Sequence, residues 1–140
     1  MKITRAKWLE FGATAANQAQ YFFPDLNDIK NSNIWGIETY GEDNVTTTLA
    51  GNTLIADADL AKAFLTLYFK GGNFIVVPMI RVIQTQNNAA SSTNAFSRFP
   101  ALLAGQVIEW SKCFVQFGTT SGLTTGRYFG FNIYYTDPTN

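Results

Sequence analysis

The sequence predicts an all-β, single-domain β-sandwich, jelly-roll-like, of about eight strands. Three observations carry this. A chain of 140 residues is close to the commonest size for one domain and long enough to bury a real core. Short runs rich in β-branched and aromatic residues recur at roughly 8–15-residue spacing with turn signals between them, and no internal repeat points instead to a propeller or solenoid. The clearest of these signals lies in residues 63–85, AFLTLYFKGGNFIVVPMIRVIQT. There Phe64, Leu65, Leu67, Tyr68 and Phe69 lead into Lys70-Gly71-Gly72-Asn73, and Phe74 to Val77 lead out. Glycines take positive φ at little steric cost, so this is a hairpin.

Taken in order, residues 1–19 are expected to form an N-terminal arm or short helix, ahead of a sandwich domain over residues 20–140. Trp8, Leu9 and Phe11 sit there among Lys2, Arg5 and Lys7. Such an arm either packs on the body or reaches a neighbouring subunit or a membrane surface. Residues 18–23 form a short aromatic strand stopped by Pro24, which cannot donate to a ladder. Asp25, Asn27 and Asp28 favour a turn or one capped helical turn, because their side chains bond to nearby backbone amides. NIWGIETY, residues 33–40, reads as a strand with Trp35, Ile37 and Thr39 on one side, and Gly36 between large residues marks a bulge or a close backbone approach.

A turn at residues 41–44 precedes a threonine-rich strand over 45–49, and residues 53–55 make a further brief strand. Within the hairpin's second arm, Pro78 restricts that strand to an edge or a bulge. Residues 86–97, QNNAASSTNAFS, are the one low-complexity polar stretch and are expected to be the longest surface loop, pinned by Phe96 and Phe99. GQVIEWSKCFVQF, residues 105–117, carries apolar side chains on both parities and reads as one central strand covered on both faces. Residues 118–126 make a glycine and threonine turn. RYFGFNIYYT, residues 127–136, is the last strand, with Phe129, Phe131, Ile133 and Tyr135 on one face.

Composition narrows the chemistry. Hydrophobic residues make up 46 % and charged residues only 14 %, so Asn, Thr, Ser, Gln and Gly must cover much of the surface. Ten basic and ten acidic residues cancel, so no broad basic field exists to attract free nucleic acid, and near-zero net charge favours association. Histidine is absent, which removes the commonest general base and metal ligand. Cys113 is the only cysteine, so no intrachain disulfide forms, and its apolar strand context marks it as an inert core residue. No apolar run approaches the ~20 residues that a bilayer-spanning helix needs, and no signal-peptide pattern follows the basic start.

The motifs are weak. Asp57 and Asp59 form a D-x-D without further ligands at motif spacing, so a turn or cap is the better account. Glu42-Asp43 is a solvated pair in a turn. Glu38 and Glu109 lie within strands, where two facing carboxylates support glycosidase chemistry only if they meet. The glycine-rich 118–126 segment lacks the ending of a phosphate loop. Asn44-Val45-Thr46 matches a glycosylation acceptor without a secretory context. Exposed Tyr and Trp stack on sugar rings, but 12 Phe and 6 Tyr are first of all core and interface material. No catalytic residue, metal site or cofactor is expected.

LTLYFKGGNFIVVPM, followed by GQVIEWSKCFVQF and preceded by YFFPDLNDIKNSNIWGIETY, resembles the small virion proteins of tailless icosahedral phages of flavobacteria and their relatives. These surround an internal membrane and a single-stranded DNA genome. The similarity spans most of residues 20–117 and rests on aromatic and glycine spacing, so no family site residue transfers. It implies a penton or minor capsid protein with a jelly-roll-like domain and no enzymatic activity, located in the virion and assembled in the host cytoplasm. The implied partners are copies of itself (five, in a penton), the major capsid protein, and a vertex spike or the internal membrane. Trp8, Phe11, Phe96 and Phe99 are the candidate assembly contacts. The alternative, from a different class, is a carbohydrate- or receptor-binding, lectin-like β-sandwich.

Overall fold

The predicted aromatic and β-branched runs assemble into two facing sheets. The computed structural model describes residues 4–12, 19–40, 53–54, 60–84, 103–118 and 127–138. Nine strands lie in them: β1 (Arg5–Gly12), β2 (Gln20–Phe22), β3 (Asn33–Tyr40), β4 (Thr53–Leu54), β5 (Ala63–Tyr68), β6 (Phe74–Pro78), β7 (Ile83–Gln84), β8 (Phe114–Phe117) and β9 (Arg127–Thr136). The first sheet has the order β1-β9-β3-β7, with β4 also paired to β9, and the second has the order β2-β8-β5-β6. Pairing is antiparallel except for the two-residue segments β4 and β7, which run parallel to β9 and β3. This is an all-β sandwich, as the sequence predicts.

The core lies between the sheets because alternate side chains of every long strand point there. Across the second sheet, Tyr21, Val115, Leu65 and Val77 stand in one register row, and all four are buried. From the first sheet, Phe129, Phe131 and Ile133 are fully buried on one face of β9, as their alternation predicts. Burying each such phenylalanine contributes roughly 1.5–3 kcal/mol relative to leaving it in water. Tyr21 meets Phe129 edge-on with ring centroids 5.2 Å apart, and Phe11 packs edge-on to Phe23 at 5.0 Å, so aromatic contacts join one sheet to the other.

The hairpin of β5 and β6 forms as predicted, and Gly72 takes φ 94° at its turn. The bulge predicted at Gly36 is also present, as a register shift between Ile34 and Gly36. Its consequence differs from the simple alternation. Trp35 is the extra residue, so Ile34 and Ile37 are buried while Trp35 is half exposed, away from Ile37 and Thr39.

Two other elements differ from expectation. Residues 5–12, expected in an arm or helix, are the edge strand β1, paired to β9 over eight positions. The alternation of Leu9 and Phe11 is what the sheet uses. Residues 105–117 are not one strand. Gln106 and Ile108 make single bridges to Ile34 and Phe69, a 3-10 turn spans Trp110–Lys112, and only Phe114–Phe117 continues as β8. The turn explains the apolar residues on both parities: Ile108 is buried before it, Trp110 at its first position, and Cys113, Val115 and Phe117 after it. The helical turn switches the phase.

The expected strand at 45–49, the Asp57/Asp59 pair, Glu42-Asp43, Asn44 and the 86–97 loop lie outside the described residues.

Candidate functional site

The outer face of the second sheet is built from the residues that alternate with its core. Phe22, Phe114, Thr66 and Val76 stand in one row across four strands, flanked by Gln20, Gln116, Phe64 and Pro78 on one side and by Tyr68 and Phe74 on the other. None of these ten positions is charged. Phe22 is 58 % exposed, Phe74 57 %, Val76 52 % and Phe64 45 %. With 150–250 Å² per aromatic ring, the three phenylalanines alone leave about 300 Å² of apolar area in water, before Val76 and the half-buried Phe114 and Tyr68 are added. That reaches the size of the largest patch on a typical monomer, about 300–600 Å², and such patches are often functional. Neighbouring rings hold the face in shape: Phe22 to Phe114 is 5.5 Å and Tyr68 to Phe74 is 5.1 Å between centroids.

The outer face of the first sheet has a different chemistry. Trp8, Asn132 and Glu38 share a row over β1, β9 and β3. The Glu38 side chain lies on this outward face yet is only 2 % exposed. Its Oε1 accepts from Tyr134 Oη at 2.6 Å, Tyr40 Oη at 2.8 Å and Asn132 Nδ2 at 3.5 Å, so the buried carboxyl group is satisfied by its own neighbours. Above it, the Trp8 indole reaches over Gly130, where any Cβ would collide with the ring. Trp8 also contacts Tyr40 with centroids 5.7 Å apart and donates its indole N–H to Glu10 at 3.1 Å.

Glu38 and Glu109 do not form a catalytic pair. Glu38 is bound into the first sheet's outer face, while Glu109 follows the bridge from Ile108 to the second sheet's Phe69 and pairs with Lys112 at 3.7 Å. Glu109 also lines an open pocket of about 280 Å³ with Asp25, Asn27, Lys30, Lys70 and Trp110. Charges of both signs line it, so it selects no ligand charge. Among the described residues no three Cys, Asp or Glu groups gather as a metal site, and no helix is long and apolar enough to cross a membrane. Cys113 is fully buried, and burial above all pushes its thiol up to about 12, with the nearby Glu109 adding to the rise. A thiol so held is an inert core group.

No family model, characterised protein or solved structure matches the chain. The candidate surfaces are therefore defined by geometry alone. Of the expected assembly contacts, Trp8 is 47 % exposed on the first sheet's outer face. Phe11 is instead a core residue, ringed by Tyr21, Phe23, Phe129 and Phe131, because its parity on β1 points it inward. Phe96 and Phe99 lie outside the described residues. Sequence reasoning did not single out Phe22, Phe64, Phe74 and Val76 as a surface. Their signal was the run of uncharged residues on the even parity of β5 and β6, which becomes a patch only once the register aligns it with β8 and β2.

Proposed function

We propose that the chain is a structural virion protein, a penton or minor capsid subunit that assembles with copies of itself and contacts a major capsid protein. The observation that carries this reading is the charge-free outer face of the second sheet, which leaves Phe22, Phe64, Phe74 and Val76 exposed. A face of that kind is stabilised by being covered, and a chain of zero net charge does not repel its own copies. The resemblance of residues 20–117 to small phage virion proteins is what makes the assembly a capsid. The test is particle incorporation. The wild-type chain is expected to form oligomers by mass photometry and to enter particles, and a Phe22→Ser, Phe74→Ser double variant is expected to fold yet be excluded. A wild-type chain that stays monomeric and is absent from particles overturns the reading.

A second reading, a carbohydrate-binding module, is favoured by one feature: half-exposed Trp8 beside Tyr40 and Glu10 makes an aromatic surface edged by hydrogen-bonding groups, the combination that sugar rings need. A sugar-dependent rise in melting temperature that is lost in Trp8→Ala supports it, and a glycan array with no hits removes it.

A further inference from the structure

We infer that two copies of this chain join through β6, edge to edge and antiparallel about a two-fold axis at Ile75, so that their second sheets merge into one eight-stranded sheet. The inference rests on the self-assembling reading above and names a two-fold contact for it, one that fits a minor capsid subunit rather than the five-fold ring of a penton. It starts from the sheet's edges. Among the described residues the open strands are β1, β2 and β6, together with the two-residue β4 and β7. β1 carries Arg5, Lys7 and Glu10, which discourage pairing with another strand, and β2 has only three residues. β6 is five residues, FIVVP, without a charge. An uncharged apolar edge of this sort is a template for another strand.

The hydrogen-bond phase fixes which groups are on offer. Phe69 N–H donates to Asn73 O at 2.8 Å, closing the turn. In an antiparallel ladder the bonded pairs alternate, so Leu67/Ile75 and Leu65/Val77 exchange bonds between β5 and β6. The pairs Tyr68/Phe74, Thr66/Val76 and Phe64/Pro78 turn their backbone groups outward. On β5 those groups face β8, but on β6 they face the open edge. Phe74 and Val76 therefore present an N–H and a C=O each, and Pro78, with no N–H to give, sits where its absence costs the β5 ladder nothing.

Only one register pairs every N–H and C=O of Phe74 and Val76. Placing Phe74 of one copy opposite Val76 of the other lets each pair exchange both bonds, and the two-fold relation repeats the exchange, with Ile75 facing its own counterpart on the axis. Moving the register one way sets Pro78 against Phe74 and loses a donor. Moving it the other way sets Val76 against Gly72, whose N–H is already bonded to Phe69 O. In the favoured register Phe74 lies beside the other copy's Val76 twice over, on the uncharged outer face, so the two apolar patches become one. The contact is isologous and closes on itself as a dimer.

The test uses the whole chain. Opposed residues at a non-hydrogen-bonded pair lie about 4.5 Å apart at Cα, within disulfide range. Ile75→Cys is therefore expected to give a reducible covalent dimer under mild oxidation, while buried Cys113 leaves the wild type uncrosslinked. Val76→Pro removes an N–H that the fold does not use. It is expected to abolish the dimer in sedimentation velocity while circular dichroism and cooperative melting persist, and Val76→Lys, which keeps the N–H, is expected to do the same through charge. Oligomers that persist in both variants, with no crosslink through residue 75, overturn this pairing and leave the assembly reading standing. A wild type that is monomeric at every concentration and absent from particles overturns both.

Discussion

The indole of Trp8 on β1 rests over Gly130 on β9, two positions from Asn132, its register partner. A side chain at 130 would occupy the ring's place, so the tryptophan and the glycine specify one another. Gly130→Ala is expected to displace Trp8, cost about 1–3 kcal/mol as an overpacking change, and shift tryptophan emission to the red. Urea unfolding followed by fluorescence and by circular dichroism measures both effects, and an unchanged spectrum counts against the contact.

Tyr134 donates to a carboxyl oxygen of Glu38 at 2.6 Å on a face where Glu38 is almost fully covered. Removing the donor leaves a buried acceptor short of a partner. Tyr134→Phe is expected to destabilise by about 1–3 kcal/mol. The same change made in Glu38→Gln should cost measurably less, and a double-mutant cycle in urea gives the coupling.

Gly71 and Gly72 share the turn between β5 and β6 but not its constraint. Gly72 has φ 94°, while Gly71 has open space where a Cβ would stand and no positive φ. Gly72→Ala is expected to lower stability by about 1–2 kcal/mol, and Gly71→Ala to leave it within a few tenths. Paired thermal melts decide this, and equal losses at both sites would contradict it.

Cys113 links stability to high pH. Burial lifts its thiol from an ordinary 9.0 to about 12, so the folded state keeps the neutral form where the unfolded chain ionises. The stability this carries is complete below about 9 and is lost as pH climbs from there toward 12. Cys113→Ala is expected to flatten the fall of unfolding free energy across that window. In the native wild type, a thiol reagent at neutral pH is expected to react only after denaturant is added, and prompt labelling would show the thiol to be accessible.

Several elements were legible in the residues themselves. β3 and β9 begin and end where their alternation and flanking turns place them, because two buried parities of apolar side chains and a Gly36 bulge are local signals. The β5–β6 hairpin followed from its glycines, and Pro78 limited β6 to an edge or a bulge, of which the sheet shows the edge among the described residues. β1 was not legible, since Arg5–Gly12 becomes a strand only by pairing with β9 more than a hundred residues later. The break in residues 105–117 was hidden for another reason: both parities are apolar whether a strand is covered on two faces or a helical turn switches its phase.

Composition and local pattern carried the all-β class, the absence of histidine and the zero net charge. These are properties of composition and of neighbours along the chain. Which side chains share a surface was set instead by the fold. Register set Phe22, Phe114, Thr66 and Val76 in one row, and it enclosed Glu38 beneath Tyr40 and Tyr134 on an outward face. Cross-strand rows join residues from distant parts of the chain, and the hydrogen bonds that fix them are the same for every sequence. The pattern of exposure that a partner meets therefore emerges only when the strands are aligned.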